Sequence, residues 1–334
     1  MKRSGIGIFI LSIFLGINIL CPGQDVHFSQ FTQTPLLVNP ALAGEFKGNG
    51  RCMLNYRNQW SSVTSNPYTT YAVALDRSFL KDVLAAGIMA FSDKAGDAGF
   101  GITQVMITLA SKVEIGRQSY LKLGINGAWS QQSLDLNNLT WNSQFNGTII
   151  DPSLNSGEVL DNEKFSYIDF STGFLWGHTF ENKMELKAGL SAYHVSRPVY
   201  SYSSAMDKLD VRLCLHADME IPLPDKKLVI LPSMLVMMQG PSREITAGGI
   251  ARFTFEVDSK YTGYYKSSYL YMGAYYRYRD ALIGYVRFDY RSQFSMGFSY
   301  DINVSELAGI SHPGGGMEIS LSWIIPEKAR IQLQ

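Results

Sequence analysis

The chain has 334 residues with 29 basic and 29 acidic side chains, so its zero formal charge leaves no electrostatic footprint for nucleic acid. Only 17% of residues are charged while 13% are aromatic, and Gly (30), Tyr (19) and Phe (18) are abundant. That balance suits strands with one face in lipid and aromatic belts at both interfaces. Besides Cys21 the cysteines are Cys52 and Cys214, which allow one disulfide but no framework, and no paired Cys/His spacing suggests zinc.

Residues 1–23 read as a secretory signal peptide. Lys2 and Arg3 are followed by an apolar run from Ile6 to Leu20, and Cys21-Pro22-Gly23 supplies small residues before a cleavage point at Gln24. A lipoprotein signal acylated at Cys21 is the alternative, which Leu20 fits poorly. No later segment has the roughly 18–20 apolar residues of a spanning helix. An exported chain of this kind enters a membrane only as a barrel.

Residues 24–50 form an irregular segment. Pro35 and Pro40 exclude a ladder strand or a helix interior. Phe28, Phe31, Leu36, Leu37, Val38 and Leu42 make it too apolar for a solvated linker. It must rest against something, either as an ordinary capping loop or near the mouth or lumen of a barrel.

From residue 51 the pattern has period two. Leu121, Leu123, Ile125, Gly127 and Trp129 oppose Lys122, Gly124, Asn126, Ala128 and Ser130; Leu213, Leu215, Ala217 and Met219 oppose Arg212, Cys214, His216, Asp218 and Glu220. About fourteen such segments lie between 51 and 325, each near the roughly 9–11 residues that cross a bilayer when tilted. A soluble sandwich also alternates, but its polar faces carry Lys and Glu freely. Here they mix single charges with Gly, Ser, Thr and Tyr, and opposite charges sit two apart, as in Glu185/Lys187, Asp210/Arg212 and Arg287/Asp289. That predicts a crowded lumen with paired charges. The long connections near 133–164, 197–207 and 303–316 fall on one side and the short ones at 181–183 and 222–225 on the other, with 258–267 an exception. The fold class is therefore all-β: an antiparallel outer-membrane β-barrel of about 14 strands, with a tail at 326–334. Length alone suggests two domains, but barrels of this size are single units.

Little suggests catalysis. The histidines are His27, His178, His194, His216 and His312, with no HExxH pattern. His194 and Ser196 share a strand face, as a deacylase pair would, but an interfacial histidine is the simpler reading. His216, near Asp218 and Arg212, reads as a lumen hydrogen-bonding group. Gly314-Gly315-Gly316 reads as a flexible loop, and Asp93, Asp97 and Asp151 match no calcium template. No catalytic, cofactor or metal residue is assigned, and the chain is expected to be non-enzymatic. Most aromatic residues at strand ends read as a girdle. Trp141 differs: with Phe145, Ile149 and Ile150 it puts apolar surface in an outer loop, the mark of a partner or of docking over the mouth. Tyr200 and Tyr202 lie in the next outer loop.

The order Phe28-Ser29-Gln30-Phe31, Val38-Asn39-Pro40-Ala41-Leu42-Ala43-Gly44, Tyr56-Arg57-Asn58-Gln59-Trp60, Asn66-Pro67-Tyr68-Thr69, Asp93-Lys94-Ala95-Gly96, Asp151-Pro152, Leu231-Pro232-Ser233, Gly297-Phe298-Ser299-Tyr300-Asp301 and His312…Met317-Glu318-Ile319-Ser320-Leu321 resembles the PorP/SprF family of the type IX secretion system. The resemblance implies an outer-membrane barrel that helps a large secreted, adhesin-like protein reach or stay on the surface through its C-terminal domain. It also implies contact with other secretion components, periplasmic ones included, in a membrane of lipid and lipopolysaccharide. The partner-binding candidates are Phe28, Gln30, Phe31, Asn39 and Pro40, with Trp141, Phe145, Tyr200 and Tyr202. A passive channel for hydrophobic solutes with a lumen plug is the alternative.

Overall fold

The computed structural model describes residues 25–326 apart from 62–63, 65, 81, 97–98, 135–139, 152, 156–162, 202–206, 225–226, 256–266 and 306–313. Fourteen strands account for most of it: β1 (Gly50–Gln59), β2 (Tyr68–Phe79), β3 (Leu84–Ala95), β4 (Phe100–Ile115), β5 (Ser119–Ser133), β6 (Lys164–Thr179), β7 (Glu185–Tyr193), β8 (Arg212–Pro222), β9 (Leu228–Gln239), β10 (Ser242–Thr254), β11 (Tyr269–Arg277), β12 (Ala281–Tyr290), β13 (Phe294–Asn303) and β14 (Gly314–Ile325). Each pairs antiparallel with its sequence neighbours. The barrel closes where β1 meets β14, from Gly50↔Ile325 to Gln59↔Gly316. Closure leaves no unpaired edge, which a lipid environment requires. Among the described residues no helix is long and apolar enough to cross a membrane.

The alternation predicted from sequence is the division between lipid and lumen. Leu213 and Leu215 are exposed on the outer wall, while Arg212, Cys214 and His216 between and beside them are buried inside. Cys52 and Cys214 are both free thiols, Cys52 sharing the outward face of β1 with exposed Leu54. The long connections after β5, β7 and β13 leave from one end of the barrel, which is therefore the outer end; the opposite end carries the short turns 116–118 and 291–293 and is also where the connection after β10 leaves. One ladder break has a plain cause: the β8–β9 pairing skips from Asp218↔Ser233 to Ile221↔Ile230, where Pro232 has no N–H to give.

The lumen is occupied by the chain's own N-terminal segment, which leaves a cavity of about 170 Å³ between Thr32 and the wall at Lys187, Asp218, Tyr271 and Arg287. Residues 25–49 run through the lumen from the outer end to the inner end and then turn into β1. Pro35 opens a single helical turn, α1 (Pro35–Val38), and Pro40 opens a 3₁₀ turn, Pro40–Leu42, each at the first position where a missing N–H costs nothing. These apolar side chains give the lumen something the sequence did not predict, a hydrophobic core. Phe28, Leu36 and Leu37 pack with Met53, Met89, Phe91 and Met106 on one side. Phe31 and Val38 pack with Leu235, Met237, Ile250, Tyr275 and Ile283 on the other. The expected polar, charge-paired lumen is extended here: the wall facing the plug mixes polar and apolar side chains within single strands, as with Met53, Asn55 and Arg57 of β1 or Ser233, Leu235, Met237 and Gln239 of β9.

Candidate functional site: a plugged lumen

The plug is fixed at several levels. Nearest the outer end, Asp25 Oδ2 lies 2.5 Å from His194 Nε2 and 3.1 Å from Arg212 Nη1, and its backbone N–H donates to Gln239 Oε1 at 3.1 Å. His194 Nδ1 faces Asp169 Oδ2 at 2.7 Å, so the imidazole is wedged between two carboxylates. Burial opposes its protonation, but Asp25 and Asp169 outweigh burial and raise its pKa to about 9. Burial likewise opposes the charge on Asp25, and His194 and Arg212 outweigh it, holding the carboxyl well below its usual range. Ser196 Oγ donates to Asp169 Oδ1 at 2.7 Å. Both ring nitrogens of His194 are thus taken up by carboxylates, an arrangement unlike a nucleophile–base pair.

One level down, Glu318 is the receptor for Phe28-Ser29-Gln30-Phe31. Its two carboxylate oxygens accept the successive backbone N–H groups of Ser29 (2.6 Å) and Gln30 (2.8 Å). The Gln30 amide donates to the Glu318 carbonyl at 3.1 Å and accepts from Ser320 Oγ at 2.7 Å. Ser29 Oγ donates to Asp301 Oδ2 at 2.7 Å and accepts from Arg277 Nη1 at 3.1 Å. Arg277 Nη2 reaches Asp301 at 2.5 Å, Arg57 Nε lies 3.3 Å from Glu318, and Arg57 also donates to the His27 carbonyl. Burial and the nearby Arg57 and Arg277 push the His27 imidazole well below its ordinary pKa, so it is neutral. Phe31 meets Tyr275 edge-on at 5.4 Å.

In the middle, α1 ends with carbonyls that have no partner within one turn. Wall side chains take them in order: Tyr193 Oη donates to Leu36 O (2.7 Å), Arg212 Nη2 to Leu37 O (3.0 Å) and Ser191 Oγ to Val38 O (2.6 Å). Asn39 then caps the 3₁₀ turn by accepting from Ala41 N at 2.9 Å. Its amide donates to Phe174 O at 2.9 Å and lies 3.1 Å from His216 Nε2. This Asn39-Pro40-Ala41 turn rests on a floor without side chains. A Cβ at Gly173 would lie 1.9 Å from Asn39 Oδ1, one at Gly124 2.3 Å from Ala41 N, and one at Gly189 2.2 Å from His216.

At the inner end Gly44 takes a φ of 69° to turn the chain, with Asp76 Oδ2 accepting its N–H at 2.8 Å. Glu45 accepts from Tyr120 Oη (2.7 Å) and pairs with Lys187 (2.9 Å) and Lys122 (3.2 Å). Burial would raise its pKa, but the two lysines bring it down to about 2.

The predicted site residues separate into two groups. Phe28, Gln30, Phe31, Asn39 and Pro40 are all buried between plug and wall. Trp141 and Phe145 lie at the outer end, in a short hairpin closed by the Phe145↔Ile150 bridge, where Phe145 is 53% and Ile149 63% exposed. Tyr200 folds inward and packs edge-on against Phe165 at 5.6 Å; Tyr202 lies outside the described residues. Of the expected charge pairs, Arg287–Asp289 forms at 2.9 Å. Arg212 and Lys187 instead take plug carboxylates, and Asp210 pairs with Arg197 at 3.7 Å. His216 is the lumen hydrogen-bonding group expected, with Asn39 as its unforeseen partner. Asp93 accepts from Thr70 and Asp151 from Ser153, Asp97 and His312 lie outside the described residues, and no metal-holding group occurs among the described residues.

A closed antiparallel barrel with lipid-facing alternation and a lumen plugged by its own N-terminal segment defines an outer-membrane β-barrel protein. The sequence matches the family described as "Type IX secretion system membrane protein PorP/SprF" over residues 21–323, and the chain belongs to that family. Among functionally curated proteins none matches. In fold the chain is similar to the toluene transporter TbuX of Ralstonia pickettii, with a TM-score of 0.52 at 10% identity over 88% of this chain and 94% of that one. A Pseudomonas aeruginosa FadL homologue gives 0.48 at 9% identity, over 85% and 91%. BamA of Haemophilus ducreyi gives 0.40 at 8% identity, over 83% and 70%.

Proposed function

We propose that this barrel is a non-enzymatic outer-membrane component of type IX secretion that binds a large secreted, adhesin-like protein through its C-terminal domain and helps export it or hold it at the surface. The observation that carries the reading is the contrast between the barrel's interior and the loop at its outer end. Plug groups that a ligand would need are already bonded to the wall, while the outer hairpin 141–154 displays Phe145, Ile149, Ile150 and Leu154, each at least 40% exposed. Exposed apolar side chains on an outer loop favour a protein partner. Binding is by shape and hydrogen-bond complementarity, without covalent chemistry.

Pull-down of the tagged protein from its own outer membrane in mild detergent tests this. Retention of a large exported protein, lost in a Phe145→Ser/Ile149→Ser variant whose barrel remains folded, is the expected result. A partner-free protein that conducts ions steadily in a planar bilayer sinks the reading and favours the hydrophobic-solute channel.

A further inference from the structure

On the lipid side, a recess of about 430 Å³ opens over β1, β2 and β3, within the range of roughly 300–1,000 Å³ typical of ligand sites. Its depth has a local cause. Ala90 of β3 puts a small side chain between its register partners, Val73 of β2 and Val105 of β4. Leu54 and Leu321 form the deeper wall, and the paired rings of Tyr56 and Tyr71, 5.1 Å apart, form the shallower one. Polar groups occur only toward the outer end. The Ser92 and Thr103 hydroxyls lie 3.4 Å apart, and the Tyr56 hydroxyl accepts from Asn58 Nδ2 at 3.4 Å. Lys94, next along the same face of β3, is exposed. Since β3 runs toward the outer end, the order from mid-membrane to surface is an alkyl row, then a row in which the tyrosine rings and the Ser92 and Thr103 hydroxyls are register neighbours, then the Lys94 cation.

The geometry points to a binding site for one acyl chain of a phosphate-bearing glycolipid of the outer leaflet, the chain in the recess and the phosphate near Lys94. The recess is continuous with the surface that the barrel presents to lipid, so its occupant comes from the membrane. It lies in the outer half of the wall, and a lysine at that level complements a phosphate. Neither the plug nor the outer hairpin contributes to it.

The test is photolabelling in phosphatidylcholine vesicles that contain lipid A carrying a diazirine on one acyl chain, repeated with diazirine phosphatidylethanolamine. Labelling by the lipid A probe is expected to concentrate several-fold on Leu54, Tyr71 and Ala90 over Leu215 and Met234 of the opposite wall. Ala90→Phe removes the excess, and Lys94→Ala lowers lipid A labelling more than phosphatidylethanolamine labelling. Equal labelling around the girth, or an excess that survives Ala90→Phe, overturns the site. An excess of the same size with both probes, unaffected by Lys94→Ala, overturns the glycolipid assignment. Heat-modifiable migration on gels checks that each variant is a closed barrel.

Discussion

The outer and middle parts of the plug are held by different physics. Between Asp25 and Phe31 the chain is gripped by ions: Arg57, Arg212, Arg277, Asp301, Glu318 and His194 surround it, all of them buried. Between Pro35 and Ala43 it is held mainly by close fit, with the Tyr193 and Ser191 hydroxyls and one guanidinium, Arg212, on the carbonyls of α1 and three glycines under the Asn39 turn. Buried ion pairs add little net stability against apolar replacements but are costly when half-broken. Close packing on a backbone floor is insensitive to pH and salt but intolerant of added volume. The outer part is therefore the one that conditions can loosen, and the middle part the one that keeps the plug in register.

Four experiments sharpen that contrast. Glu318→Ala strands Arg57 and two backbone N–H groups, and its cost by denaturant unfolding is expected at about 3–5 kcal/mol, the largest of the set. Gly173→Ala drives a Cβ into Asn39 and is expected to cost about 3 kcal/mol while leaving the pH dependence of unfolding unchanged. Asn39→Ala removes a cap and the His216 contact, for about 2 kcal/mol. The smallest effect is the pH response of the outer part. His194 titrates at about 9 in the folded protein against an ordinary 6.5, so its contribution is complete below 6.5 and is lost as pH rises through 9. The depressed Asp25 contributes above its ordinary 3.8 and loses that contribution as pH falls further. A loss of roughly 1 kcal/mol by about pH 7 is expected, read as faster exchange of the Ser29 and Gln30 amides. It should vanish in His194→Gln. Equal pH sensitivity of the Leu37 and Ala41 amides would erase the distinction between the two parts.

The wall was legible from sequence because lipid and lumen impose opposite chemistries on alternate residues, a signal carried within each strand. The segments fall where the strands form, as the run from Leu121 to Ser130 does within Ser119–Ser133. The plug's helical turns were legible only as breaks, since Pro35 and Pro40 say where a strand cannot be and not what replaces it. Its seats were not legible. Glu318 lies 289 residues from Ser29, and no local pattern links them. Lys187 and Arg212 each had an acid two residues away, yet pair with Glu45 and Asp25, because the plug brings carboxylates into the lumen beside them; Arg287 does pair with its strand neighbour Asp289. The glycines offered one readable hint. Gly124 and Gly189 fall on lumen-facing positions where a barrel needs no glycine, and such a gap is the imprint of another backbone.

The register places Arg57 of β1 directly opposite Glu318 of β14, across the joint where the cylinder closes. Both also hold the plug, Arg57 through the His27 carbonyl and Glu318 through Ser29 and Gln30. The segment made first therefore rivets together the first and last staves of the wall. In the finished protein that joint cannot gape without surrendering its rivet, so parting β1 from β14 would strip the plug of its Ser29–Gln30 seat and leave it hanging from β5, β7 and β8.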